Sequence, residues 1–225
     1  MCGRFKLAAT SRFVAEHFDL AEVPFLEPRY NVAPGQTVLV VRPSSGARQL
    51  AALHWGLVPS WAKDVKIGYR LLNARCETVE EKPAFRAAFR KRRCLIPADG
   101  FFEWQKTGRK KQPFLFQVND GLFAFAGLWE HWQNSDGETL ESCTILTTEA
   151  NELVRPLHDR MPVIVAPADY ASWLEPQVVA EEEVDRLFRP FAATAMTAMA
   201  VNPWVNDARH EGPLCIEPVV DRSLF

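Results

Sequence analysis

No two of the five cysteines, at positions 2, 76, 94, 143 and 215, stand close enough to form a Cys-x-x-Cys pair, and the five histidines show no ligand spacing. The usual sequence signatures of a zinc site are therefore absent, and neither a metal nor another cofactor is expected. An odd number of scattered cysteines, with no apolar signal segment behind Met1, reads as a reduced cytoplasmic protein, nucleoid-associated if bacterial. No apolar run is long enough to span a bilayer, so no membrane partner is expected. Strong charge of one sign is missing too: 26 Lys and Arg against 28 Asp and Glu leave a net charge of -2. Any phosphate-binding face has to be a local basic cluster on a near-neutral surface. The chain also lacks internal repeats and low-complexity tracts.

What is present is a globular composition, 48% hydrophobic and 24% charged over 225 residues, enough for one well-packed domain. Phe13, Val14 and Phe18 at helical spacing behind a Thr/Ser start predict a helix over 10–19. Runs at 37–42 and 49–55, separated by Pro43 to Gly46, read as a hairpin. Further strands are expected at 93–97, 100–105, 113–118, 122–128, 142–148, 162–166 and 197–201, and helices at 81–91, 149–155, 167–174 and 181–189. The joints at 43–46 and 175–177 read as loops, not domain linkers. Helices inserted between groups of strands argue for a single α+β domain over 1–225, with a mainly antiparallel, barrel-like β-sheet core flanked by short helices.

Cys2 follows the initiator methionine. Once Met1 is removed it carries a free amine beside a free thiol, and that pair is a reagent for aldehydes. The amine condenses to an imine, the sulfur adds to the imine carbon, and a five-membered thiazolidine results. An α-amino pKa of about 7.7 to 8.0, against roughly 10.4 for lysine, leaves a few-hundred-fold larger neutral fraction near neutral pH. A small residue that merely permits methionine trimming is the plain alternative.

Three further segments carry chemistry-bearing groups. In Ala98-Asp99-Gly100-Phe101-Phe102-Glu103-Trp104, strand alternation aims Phe101 and Glu103 to one face and Phe102 and Trp104 to the other. Desolvation among aromatics would raise the pKa of Glu103 and keep it available as a general acid; a salt-bridged structural glutamate or an exposed edge position gives the same pattern. Leu157-His158-Asp159-Arg160-Met161-Pro162 puts His158 and Arg160 at the entry to a strand, where His158 can shuttle a proton or serve as a satisfied structural histidine. Asn73 and Arg75, two residues apart, share a face if extended; the amide can orient an amine or thiol and the guanidinium can grip a phosphate. Turn formation and a surface ion pair are the alternatives there.

Basic residues gather at Arg86, Arg90, Lys91, Arg92 and Arg93, and again at Arg109, Lys110 and Lys111, the second group in a Gly-bearing turn that reads as a solvated loop. Trp55 and Trp61 flank a Gly/Pro loop and offer a base-stacking or wedging surface, with core packing as the alternative for both rings.

Taken together these segments resemble the SRAP family, the SOS-response-associated peptidase or abasic-site-processing proteins. The likeness runs in order through Met1-Cys2-Gly3-Arg4, Tyr30-Asn31-Val32-Ala33-Pro34, the Trp55 to Trp61 loop, Asn73 to Thr78, Pro97 to Trp104, Lys111-Gln112-Pro113, Gly127-Leu128-Trp129, Thr147 to Asn151 and His158 to Pro162, and becomes less distinct from about 175 onward. The resemblance implies covalent attachment to abasic sites in single-stranded DNA through the processed N-terminal cysteine, which shields the lesion from strand cleavage in the DNA damage response. It places the nucleophile on Cys2, the cysteine-orienting asparagine on Asn73, the glutamate on Glu103 and the histidine on His158. Phosphate-gripping arginines fall on Arg4 and Arg75, with Arg160 a third, and Asn31, Pro34, Trp55 and Trp61 belong to the expected DNA-binding face.

The expected mechanism has Glu103 moving protons on the sugar ring oxygen and during imine formation, while His158 and Asn73 hold the sugar and the amine. Weak lyase activity and removal of Met1, by self-cleavage or by an aminopeptidase, accompany it, and a monomer is expected. Three rivals are an N-terminal nucleophile hydrolase such as a glutaminase, a cysteine peptidase acting in trans with Cys2 and His158, and a noncatalytic single-strand-binding module.

Overall fold

The computed structural model describes residues 2–44, 46–108, 110–175 and 181–219. Met1, Arg109 and most of the joint expected at 175–177 lie outside the described residues. The chain forms β1 (Phe5–Leu7), α1 (Ser11–Phe18), β2 (Arg29–Val32), β3 (Thr37–Ser44), β4 (Ala47–Trp55), β5 (Asn73–Arg75), α2 (Arg86–Lys91) and β6 (Arg93–Ala98). It continues with β7 (Gly100–Thr107), β8 (Lys110–Val118), β9 (Phe123–Gln133), β10 (Thr139–Glu149), β11 (Arg160–Pro162), β12 (Ile164–Val165), α3 (Tyr170–Leu174), α4 (Glu181–Leu187) and β13 (Met196–Ala200).

Two sheets result. One runs β13-β8-β7-β1-β2. The other closes on itself, because β9 pairs with β10 as well as with β6, so that β10, β4, β3, β6 and β9 form a five-stranded ring. Strand pairing is antiparallel except where β10 runs parallel to β4 and to β5. The α+β expectation, with a mainly antiparallel barrel-like core and short helices, therefore holds.

Side-chain alternation builds the core on both faces of the ring. Leu95, Ala124, Ala126 and Leu128 pack with Val14, Phe18, Phe89 and Trp173 of the helices. Their neighbours Cys94, Ile96, Phe123 and Phe125 pack with Cys2, Phe5, Phe101 and Phe116, joining the ring to the second sheet. Cys2 is thus held at the seam between the two sheets.

Two expected helices differ. The one over 81–91 shrinks to Arg86–Lys91, since Pro83 disfavours helical backbone at Lys82 and can donate no hydrogen bond. The one over 149–155 is a set of turns: Glu149 ends β10, and the Asn151 side chain accepts from the backbone N–H groups of Leu153 and Val154. Pro156 then stops its continuation. The basic run at 86–93 is not one surface either, because the Arg93 guanidinium is buried and donates to the carbonyls of Trp173 (2.6 Å), Phe89 (3.3 Å) and Glu175.

Candidate active site

The strand β1 positions the N-terminal end. Phe5 pairs with Phe101 of β7, and the Phe102 N–H donates to the Arg4 carbonyl at 3.0 Å. An antiparallel partner continued upstream from Phe5 must pass Glu103, so strand register alone brings Cys2 and Gly3 to that carboxylate. Cys2 is fully buried, its thiol directed at the Arg4 carbonyl at 4.0 Å.

Asn73 arrives from another direction. It opens β5, which lies along β10 in parallel with Asn73 opposite Ile145, and its Nδ2 donates to the Cys2 carbonyl at 2.9 Å. Its Oδ1 is buried and has no hydrogen-bond partner among the described residues, so an acceptor stands ready for an amine or hydroxyl proton. A close approach of backbones delivers this strand: a Cβ on Gly68 would lie 2.7 Å from the Gly56 carbonyl oxygen, and Gly56 itself has φ +143°. Beside them the Leu57 N–H donates to Leu71 and the Trp55 indole to Leu72.

Glu103 is buried on β7, opposite Phe114 of β8. Burial pushes its carboxyl from an ordinary 4.5 up to about 7, and the charge of Asp159 pushes the same way. Burial first, and then the charge of Glu103, push the Cys2 thiol well above its ordinary range. The thiol therefore stays protonated near neutrality and needs a base when it reacts. His158 follows the turns after β10 and is half-buried. Its Nδ1 accepts from the Arg160 backbone N–H at 2.9 Å and also stands 2.9 Å from the carboxylate of Asp159.

Glu103 and His158 border one polar cleft of about 640 Å³, lined also by Gly3, Arg4, Trp104 and Asn206, whereas Cys2 and Asn73 are not part of its lining. Arg4 does not stand free in it. It donates to Asn31 Oδ1 at 2.5 Å and to the Val205 carbonyl at 2.9 Å, and its guanidinium sits 5.6 Å from the Trp104 ring centre. Arg75 is exposed on β5 and in no ion pair among the described residues. Arg160 is engaged by Glu77 through both terminal nitrogens, at 2.5 and 2.8 Å.

The expected DNA-binding face divides. Trp61 is 58% exposed and presents an open ring. Trp55 is fully buried in the cluster that holds Cys2 and spends its indole N–H on the Leu72 carbonyl at 2.9 Å, so it is a core residue and has no face left for a base. Asn31 is fully buried, with its Nδ2 on the carbonyls of Asp207 (2.9 Å) and His210 (2.8 Å), and fastens the segment after β13 instead of facing solvent. Pro34 is half-buried at the turn after β2.

Sequence reasoning missed Trp104, Lys111 and Asn206 as cleft residues. Alternation with Glu103 sends the Trp104 ring to the far face, yet its indole bonds Asn206 Oδ1 at 2.7 Å and so reaches the cleft rim. Asn206 has no local signal; it enters because it also donates to the Lys111 carbonyl at 3.1 Å, across 95 residues. Among the described residues no group of three or more His, Cys, Asp and Glu could hold a metal, and no helix is long and apolar enough to cross a membrane.

Comparison with known proteins agrees over most of the length. Residues 1–208 match the model of the family described as SOS response associated peptidase (SRAP). The chain is 42% identical over 222 residues to the abasic site processing protein YoqW of Bacillus subtilis, covering 96% of this chain and 99% of that protein. To the abasic site processing protein HMCES of Xenopus tropicalis it is 30% identical over 226 residues, covering 86% of this chain and 67% of that one. Among solved structures, a protein from Bacteroides thetaiotaomicron superposes with a TM-score of 0.87 at 27% identity, covering 97% of this chain and 100% of that chain.

Proposed function

Because the chain belongs to the SRAP family, in which the relatives above are named abasic site processing proteins, we propose that it processes abasic sites in single-stranded DNA by bonding to them covalently through Cys2. The observation that carries this reading is the anchoring of Cys2 by the Asn73 amide beside a buried glutamate whose pKa is about 7. Removal of Met1 exposes the amine; the protein's own cleft or an aminopeptidase performs it.

Glu103, about half protonated at neutral pH, gives a proton to the ring oxygen of the closed deoxyribose while the anomeric hydroxyl loses one, and the aldehyde opens. The Cys2 amine attacks the carbonyl carbon and water leaves, forming the imine. Glu103, now a carboxylate, takes the proton of the raised thiol as sulfur bonds to the imine carbon, and the nitrogen regains a proton to close the thiazolidine. His158 and Asn73 hold the sugar hydroxyls and the amine in place. The imine also acidifies the adjacent C–H, so loss of the 3′ phosphate by β-elimination is expected as a slow side reaction. Arg75, exposed and in no ion pair among the described residues, and the open ring of Trp61 supply contacts to flanking nucleotides.

The direct test mixes the protein with single-stranded DNA bearing one abasic site and runs a denaturing gel. A shifted band that disappears in Cys2→Ala is the expected result; no band with the wild type ends this reading.

A further inference from the structure

We propose that Glu77 is a positioning residue for His158, acting through Arg160 to keep the imidazole proton on Nε2; the inference rests on the proposed abasic-site chemistry for its kinetic consequence. Two contacts, a backbone N–H and a carboxylate, compete for the same nitrogen. The Arg160 backbone N–H, 2.9 Å from His158 Nδ1, requires that nitrogen bare, whereas Asp159 Oδ1, also at 2.9 Å, requires it protonated. One tautomer satisfies the first contact and the other satisfies the second.

The surroundings favour Arg160. Asp159 is 87% exposed, so its pull is screened by water and its side chain is free to turn away. Arg160 is held at three points: Glu77 takes both terminal nitrogens, and the Thr147 carbonyl accepts a third bond at 2.6 Å. Thr147 belongs to β10, which pairs with β5 on one side and β11 on the other, and Glu77 lies two residues past β5. The clamp thus ties the strand that carries Asn73 to the strand that begins just after His158. Against the desolvation that would raise it, Arg160 holds the Glu77 carboxyl below its ordinary range, so the clamp stays charged at neutral pH. Glu77 is 45% exposed, so its loss costs the fold little while freeing the arginine.

The test is nitrogen-15 NMR of the His158 ring in the full chain, run over a pH series alongside the rate of adduct formation. Among the described residues, charged groups that bear on this ring include Asp159 and Arg160 beside it, and Glu103, Arg4 and Lys111 on the same cleft. Wild type is expected to show an acceptor Nδ1 and a protonated Nε2 once the ring is neutral. Glu77→Gln and Glu77→Ala are expected to stay folded, to shift the ring toward protonated Nδ1, and to form adduct about tenfold more slowly. Asp159→Asn is expected to leave the wild-type ring pattern in place. A ring pattern unchanged in both Glu77 variants overturns the proposal, as does a wild-type ring protonated on Nδ1 or an altered ring with an unchanged rate. If wild type forms no adduct, the abasic-site reading falls, and the ring pattern still decides whether Glu77 sets the tautomer.

Discussion

Glu103 concentrates the conflict on which the proposed chemistry depends. Its carboxyl is held at about 7 by burial, above an ordinary 4.5, so the folded protein binds this proton more tightly than the unfolded chain does. The stability it contributes is complete below about 4.5 and is lost as pH rises through 7, an ionisation cost of about 3 kcal/mol above that. Glu103→Gln is therefore expected to match the wild-type melting temperature at pH 5 and to exceed it by several degrees at pH 8, while slowing adduct formation by about a hundredfold or more. Calorimetry at the two pH values checks the first half, and a variant no more stable at pH 8 refutes burial as the cause. Asn73→Ala removes the 2.9 Å bond to the Cys2 carbonyl. It is expected to slow crosslinking at saturating DNA more than it weakens binding, as read by gel time courses at increasing DNA concentration.

At the scale of elements, the two tryptophans separate packing from contact. Trp55→Ala deletes a fully buried ring beside Cys2 and is expected to cost about 3 to 5 kcal/mol of stability, measured by denaturant unfolding. Trp61→Ala, at an open ring, is expected to leave stability unchanged and to weaken single-strand binding by about 1 to 3 kcal/mol. Sequence left both rings open to either reading; Trp55 is buried because it ends β4 on the face that carries buried Leu53, whereas Trp61 lies beyond the strand in the loop. The longer strands were legible: β3, β4, β6, β7, β8, β9 and β10 run six to eleven residues, enough for alternation to show. The strands β1, β2 and β5 have three or four residues and exist through their partners, and two of them carry the chain to Cys2 and Asn73.

Over the whole molecule, the site depends on a closure between the two ends of the chain. Asn31 and Arg4 hold the carbonyls of Val205, Asp207 and His210, and the same segment brings Asn206 to the cleft. Asn31→Ala strips donors from these carbonyls and is expected to cost about 2 kcal/mol, lowering the melting temperature by roughly 4 to 8 °C. With a net charge of -2, binding to DNA has to come from local cations. Arg75→Ala is expected to reduce the dependence of log affinity on log salt by about one unit, as measured by binding titrations at several salt concentrations. An unchanged slope would remove Arg75 from the phosphate contacts.

The amino-acid sequence by itself determined the reagents and the class of fold. An aminothiol needs only Cys2 behind a removable methionine, a strand pattern needs only alternation, and the absence of paired cysteines and long apolar runs is a matter of counting. Tertiary structure alone decided what surrounds each reagent. Burial raised Glu103 to about 7, hid Trp55 and turned Asn31 into a fastener, while Glu77 and Arg160 closed a clamp behind His158. These are properties of neighbours brought together across as many as 179 residues, and desolvation and hydrogen bonding act on distance in space, which no local pattern in the chain records.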